Sequence, residues 1–436
     1  MDSDGTLPSA LFTLSKTAQE IVEEEDYDPV RNEVAEVSVD YDYSPSGKSL
    51  RRTTENTTRM EWSQQVHSDV YDKVRETDAY QKAHERVEEI GDQPAEYLIR
   101  QFVRNLMDEL LYGLDDNEIA EMITIFVSDI EESPINWDPV ILFNGVEMGQ
   151  EEVVLDSGIV LRQPVSEDVE RMFDENPYRH ISLGGHPTAV LEFSKRTSDR
   201  SDIHRIVDKV IITLEMFETA SVTVIHKEYN PETIVRDRRH LNRERTTKRP
   251  TPFSYTLDGD NESRLLDSFE VISKEIEEKI LAEPKDTPIN IAYDRYSNAL
   301  DDISTERRIT SAIMCLEALL LKENERGELS ERLSRRSSIL LHQFDFEPMK
   351  VRSKLSEAYK IRSSYVHGSG LDTSTNLDFA EDIVNYARIL INIYLQIETE
   401  KDDLISKVDN ASIHPNARDK TQELLEQECE IAEFYD

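Results

Sequence analysis

Ser311-Ala-Ile-Met-Cys-Leu-Glu-Ala-Leu-Leu320, entered through Ile309, sets the character of the C-terminal half of this chain. Ile309, Ala312, Ile313, Leu316, Leu319 and Leu320 recur at three- and four-residue steps and make one apolar stripe, the mark of an amphipathic helix. Ser304 is placed as its N-cap, with Glu306 in the first turn. Leu329, Leu333, Ser337 and Leu340 mark a second helix. Pro348, suited to a first helical turn, opens a third that Gly368 ends. A fourth runs from about Leu377 to Thr399 and is apolar on two faces. One face carries Ile383, Ala387, Leu390 and Tyr394; the other carries Tyr386, Ile389, Ile393 and Ile397. Two apolar faces make it either a central helix or one shared with a partner. Four such helices with short connections predict a bundle over residues 262–400.

Working outward, the pattern changes. Residues 92–256 read as one α+β domain. A helical stretch begins near Asp92, taken as N-cap with Pro94 in the first turn, and runs to about Glu132. Short apolar runs follow at 140–143, 153–155 and 159–161, separated by Asn144-Gly145, Gly149 and Ser157-Gly158, as in a small meander of strands. Residues 189–193 and 221–225 predict two more strands. Ile203, Val207, Val210 and Leu214 predict a helix between them. Residues 1–75 are polar and acid-rich and read as weakly ordered or peripheral, and 401–436 as an acidic C-terminal helix or tail. The fold class expected is therefore an α+β N-terminal and middle region followed by an all-α C-terminal bundle.

The 436 residues include 90 acids against 50 bases, a formal charge of −40. That load repels itself in dilute buffer and is mostly screened in molar salt, where the Debye length is about 3 Å. Thirty-two arginines against eighteen lysines, and acid spread over nearly the whole chain, point to a halophilic protein in a salt-rich cytoplasm. Cys315 and Cys429 are the two cysteines. Cys315 falls in the apolar stripe as a small core residue, so a disulfide framework or thiolate metal site is not expected. No apolar run reaches the ~18 residues of a membrane span, and no signal peptide is legible at the N-terminus. A cytoplasmic protein without membrane attachment is the expectation.

The candidate chemistry lies in Tyr359-Lys-Ile-Arg-Ser-Ser-Tyr-Val-His-Gly-Ser-Gly370. Arg362 is a permanent cation, and His367, five residues on, is the side-chain type that titrates nearest neutrality. Arginine holding a phosphate and histidine moving a proton would suit cleavage of a phosphodiester. At 100° per residue, positions five apart lie about 140° from one another around a helix. Two remedies follow: the helix unwinds at Gly368, or a second protomer supplies half of the site. The alternative reading is that Arg362 caps a helix end and His367 packs beside Gly368. Glu317, near the edge of the apolar stripe, is either an ordinary exposed glutamate or a partly buried carboxylate needing Arg362 or Arg336.

Arg362-Ser-Ser-Tyr-Val-His-Gly368 resembles the Arg-x4-6-His motif of HEPN-domain ribonucleases. With the Leu-Glu-Ala-Leu helix and the Leu329-Ser-Glu-Arg-Leu333 run ahead of it, the setting resembles the Apea-like branch, over about 290–400. The resemblance implies an α-helical dimer and a metal-independent endoribonuclease without cofactor. It implies Arg362 and His367 as catalytic residues, supported by Ser363, Glu317, Tyr365 and Gly368, and no metal ligand. It further implies a setting in toxin–antitoxin or antiviral defence, with an antitoxin or defence protein as partner. Many active members carry Asn, Asp or His directly after the arginine; Ser363 stands there in this chain. Some members of the family are non-catalytic scaffolds or sensors that bind RNA, a nucleotide or a partner protein.

Two local excesses of cation interrupt the acidic background. Residues 236–249 hold seven bases against two acids: Arg236, Arg238, Arg239, Arg243, Arg245, Lys248 and Arg249. The span 322–362, which includes Arg336, holds ten against seven and leads into the proposed site. Such islands are where RNA would bind. For the first, the alternative is a solvated loop whose charges pair with nearby acids.

Overall fold

A computed structural model describes residues 6–25, 27–44, 47–90, 93–173, 186–234, 243–245, 253–282, 285–368 and 376–429, with backbone alone at 243–245. Five helices open the chain: α1 (Leu7–Glu24), α2 (Gln64–Arg75), α3 (Asp78–Ile90), α4 (Ala95–Leu110) and α5 (Asp116–Ile130). The expectation of a weakly ordered or peripheral segment over 1–75 is corrected here. Leu7, Leu11, Leu14 and Ala18 repeat at helical spacing, and the latter three are fully buried against α3, α4 and α5. The acids of α1 lie on its outer face, so a charge-rich composition hid an amphipathic helix. The helical stretch expected over 92–132 consists of two helices, α4 and α5. The chain turns at Tyr112 and at Gly113 (φ +84°), and Asp115 caps α5 through a box with Glu118. Pro94 itself holds the N-cap position of α4; Asp92 lies outside the described residues.

A two-stranded ribbon, β1 (Val30–Ser44) and β2 (Gly47–Glu61), leads from this unit to the next. Its outer half is solvated, while Val39 and Tyr41 near the tip are buried. A six-stranded antiparallel sheet follows, in the order β11-β10-β4-β8-β7-β6. Its strands are β4 (Val140–Asn144), β6 (Glu152–Asp156), β7 (Ile159–Arg162), β8 (Ala189–Glu192), β10 (Thr223–Glu228) and β11 (Arg243–Arg245). Four short strands flank it: β3 (Ile135–Trp137), β5 (Val146–Met148), β9 (Lys195–Thr197) and β12 (Tyr255–Leu257). Side-chain alternation serves two layers. Ile141, Phe143 and Leu191 face α7 (Arg200–Phe217), while Leu142 and Val190 face the ribbon tip and α6 (Ser166–Arg171). The ribbon is tied down by the Tyr41 amide donating to Ser166 Oγ at 3.0 Å and the Val39 amide donating to Glu170 at 2.7 Å. Each predicted strand of the middle region is present.

The remaining helices are α8 (Glu262–Lys279), α9 (Pro288–Asp301), α10 (Thr305–Leu320), α11 (Leu329–Leu341), α12 (Pro348–Val366), α13 (Leu377–Gln396), α14 (Lys401–Ala411) and α15 (Pro415–Glu428). The mixed architecture with a helical C-terminal region is as expected. α13 is the central helix: it packs on α8, α9, α10, α11 and α12, so its second apolar face is satisfied within the chain. Cys315 is buried in the same core, which pushes its thiol upward. The boundary expected near 256–262 is bridged. Leu265 and Phe269 of α8 join the core under the sheet, and Ile272 and Ile276 join the bundle core. The last carbonyls of α7 are taken up by the bundle. Met216 O accepts from Arg388 and from Asn392, each at 2.9 Å, and Glu215 O accepts from the Tyr296 hydroxyl at 2.9 Å. A helix end in need of acceptor satisfaction therefore fixes the sheet layer to the bundle.

Candidate active site at the end of α12

Pro348 starts α12, a helix of nineteen residues that closes with Val366, with His367 as C-cap. Gly368 takes φ +68°, a left-handed turn that favours glycine, and its amide donates to Tyr365 O at 3.2 Å. The His367 amide donates to Ser363 O at 3.1 Å. The His367 imidazole is exposed and has no hydrogen-bond partner among the described residues. It lies in the last turn, where the carbonyl end of the helix favours a cation.

α10 packs along α12. Arg362 Nη2 donates to Glu317 Oε2 at 3.1 Å, with the two side chains 25% and 19% exposed. Glu317 is thus the partly buried, cation-paired carboxylate of the two readings, and its cation is Arg362. The Tyr359 phenol, one turn before Arg362, lies beside the Glu317 carboxylate. Burial, and then the Glu317 charge, push that phenol upward. The Arg362 guanidinium lies 5.8 Å from the Tyr359 ring centre, a cation–π contact. The hydrogen bond to Glu317 and this ring fix where Arg362 can reach. Its Nε is buried and carries no partner among the described residues.

Toward the helix end, Arg307 Nε donates to the Tyr365 hydroxyl at 2.9 Å. The contact holds the exposed Tyr365 ring, which is followed by the exposed Val366. Ser363 is half-buried between the two contacts. Arg307 and Tyr359 escaped the sequence reading. Tyr359 carried a weak signal, standing three residues ahead of Arg362 on one helix face. Arg307 carried none, because its role follows from the crossing of α10 and α12.

Arg336 is corrected. It was expected on an RNA-binding surface and is fully buried. Nη1 and Nη2 donate to Glu325 at 2.7 and 2.6 Å; Nε and Nη2 donate to Asp409 at 2.9 and 2.7 Å. Nη1 also donates to Leu320 O at 2.7 Å. With every donor taken, it ties α11 to α14 and to the chain leaving α10. Hydrogen bonds from Arg336 hold the Glu325 carboxyl down at about 2. Burial pushes Asp409 upward, yet the hydrogen bonds from Arg336 outweigh it and hold that group below the usual carboxylate range.

Of the first basic island, Arg236, Arg238, Arg239, Lys248 and Arg249 lie outside the described residues. Arg243 and Arg245 fall in β11, the edge strand of the sheet, paired in register with Glu228 and His226. Among the described residues no group of three or more metal-ligating side chains occurs, and no helix is long and apolar enough to cross a membrane. In comparisons with known proteins, no family model, no curated protein and no solved structure matches this chain.

Proposed function

We propose that this chain is a metal-independent endoribonuclease of the HEPN type, working as a homodimer in antiviral defence or a toxin–antitoxin system. One observation carries the reading: an arginine that is 25% exposed, with one hydrogen bond spent on Glu317, and an exposed histidine share the same end of one helix. His367 takes the proton from a ribose 2′-hydroxyl, whose oxygen attacks the neighbouring phosphorus. The bond to the 5′-oxygen breaks, that oxygen leaves with the proton returned from the His367 imidazolium, and a 2′,3′-cyclic phosphate remains. Arg362 meets the phosphate oxygens as charge grows on them. Glu317 and Tyr359 hold the guanidinium in place, and Arg307 holds Tyr365 at the rim. The attacking group is the RNA's own hydroxyl, so the step needs no metal-bound water.

The two side chains lie about 140° apart around α12 by helical geometry, which is why the reading includes a second copy. Arg362 of one protomer and His367 of the other would flank one phosphate. The exposed Tyr365 and Val366 and the 71%-exposed Ile303 supply apolar surface at that end for the pairing. In molar KCl with EDTA present, the purified chain is expected to cleave single-stranded RNA to 2′,3′-cyclic ends, and His367→Ala to abolish it. Cleavage that continues unchanged in that variant ends the proposal.

A second reading has its own support. Glu317 already occupies part of the Arg362 fork at 3.1 Å, and Ser363 replaces the stronger polar group found after the arginine in many active relatives of the resembled family. On that reading the same end of α12 is a non-catalytic scaffold or sensor. Wild type would then bind RNA without cutting it, and Arg362→Ala would weaken binding.

A further inference from the structure

We infer that the groove between α2 and α4 is a binding site for a nucleoside phosphate, remote in sequence from the end of α12 and independent of the cleavage reading. The cavity measures about 570 Å³, within the few hundred to a thousand Å³ of small-molecule sites.

Its lining breaks with the rest of the chain. Acids make up 90 of 436 residues, so ten residues drawn at that rate would hold about two. The ten that line this groove hold none. They include two arginines, Arg100 and Arg104, one turn apart on the same face of α4. Neither forms an ion pair among the described residues, although the chain is overwhelmingly acidic; Arg104 has Asp108, one turn on, as a more distant electrostatic neighbour. Arg100 lies over the Tyr71 ring at 5.3 Å, which orients its fork without consuming donors. Two guanidiniums about one helical turn apart suit the oxygens of a di- or triphosphate.

The other walls suit the rest of such a ligand. Tyr97 stands on the groove wall 46% exposed, an aromatic face free to take a planar base. The carboxamides of Gln64 and Gln101 offer both donors and acceptors for base edges. His67 lies 3.0 Å from Asp108, a carboxylate just beyond the lining, and is thereby committed to the wall. The Trp62 indole donates to Met107 O at 2.7 Å and pins the foot of the ribbon beside this groove. Ligand bound here would touch the unit from which the ribbon leads to the sheet.

The test uses the full chain in molar KCl with ATP, GTP, CTP and UTP, each titrated calorimetrically beside inorganic tripolyphosphate. At least one nucleotide is expected to bind. The double variant Arg100→Gln/Arg104→Gln is expected to weaken it by about tenfold or more, since a charge-assisted contact is lost at each position. Tyr97→Ala is expected to weaken the nucleotide and leave tripolyphosphate unchanged. All three side chains are exposed, so the variants keep the fold, as circular dichroism would verify. His367→Ala is expected to bind as wild type does, which separates this site from the other. Absence of binding by all four nucleotides overturns the inference, as does full affinity in the double variant or loss of binding in His367→Ala. Tripolyphosphate binding as tightly as the nucleotides, with Tyr97→Ala silent, overturns the nucleoside part.

Discussion

Arg336 and Arg362 belong to the same basic span of sequence, yet the fold gives them opposite surroundings. Arg336 is fully buried, with all its donors spent on Glu325, Asp409 and Leu320 O. Arg362 is a quarter exposed, with one hydrogen bond to Glu317 and its Nε unmatched among the described residues. A buried, saturated guanidinium is a fixed strut. One that is a quarter exposed, with a single hydrogen bond spent, has donors left for a ligand. The difference lies in who arrives opposite each residue: Asp409 comes from 73 residues downstream to join Glu325 at Arg336, while among the described residues Glu317 alone pairs with Arg362.

The largest effect tests the strut. Arg336→Ala leaves two part-buried carboxylates facing one another, and breaking such a network costs about 3 kcal/mol or more. Arg362→Ala removes a single pair at the protein surface, its side chains 25% and 19% exposed, and is expected to cost about 1 kcal/mol. Urea unfolding of both variants in molar KCl measures the gap. Equal losses would mean that the two arginines do the same work, and the contrast drawn here would collapse.

Next in size is the chemical counterpart. His367→Ala is expected to reduce RNA cleavage by about a hundredfold or more, the usual weight of a lost general acid–base group. Its unfolding free energy should stay within about 0.5 kcal/mol of wild type, because the imidazole is exposed and touches nothing described. A large stability loss would make His367 a structural residue and remove the asymmetry between the two regions.

Much of this contrast was hidden in the sequence, for reasons that differ by element. Helical spacing made α10, α11 and α13 legible within a few residues, because each keeps an apolar stripe over three or more turns, while Pro348 and Gly368 marked the ends of α12. The strands at 140–143, 153–155 and 159–161 were legible from turn residues between short apolar runs. α1 was missed because it stands at the head of an acid-rich, polar segment over 1–75, although Leu7, Leu11, Leu14 and Ala18 hold it in the core. Tyr359, Arg307 and the Arg336 network were out of reach, since each depends on helix crossings that place distant residues together. Periodicity reports which face is buried and is silent on which polar group will meet it.

A pH scan sharpens the comparison further. Arg336 holds Glu325 at about 2, below its ordinary value. A carboxylate with a lowered folded pKa contributes stability above its unfolded value near 4.3 and loses it as pH falls through the folded value. Stability conferred by the strut is therefore expected to drain between about pH 4.3 and 2. Glu325→Gln should flatten that limb of the melting-temperature curve. An unaltered limb would show that the acid sensitivity of the fold resides elsewhere.

The smallest effect concerns how the open end is built. Gly368 sits at φ +68° with no heavy atom of the described residues within 4 Å of where a Cβ would be, so among those residues substitution there meets backbone strain alone. Gly368→Ala is expected to cost about 1 kcal/mol, and Gly368→Asn less, because asparagine tolerates the left-handed region better. Gly327 offers the control: it is equally uncrowded and carries no positive φ, so Gly327→Ala should be neutral or slightly stabilising. Chemical denaturation of the three variants reads the strain, and RNA cleavage reads its use. If Gly368→Ala slows cleavage more than Gly368→Asn at comparable stability, the left-handed turn is what presents His367 to its phosphate. Cleavage unaffected by either change would mean that the histidine finds its position without the turn, and the open end of α12 would then owe its form to the pairing of two copies.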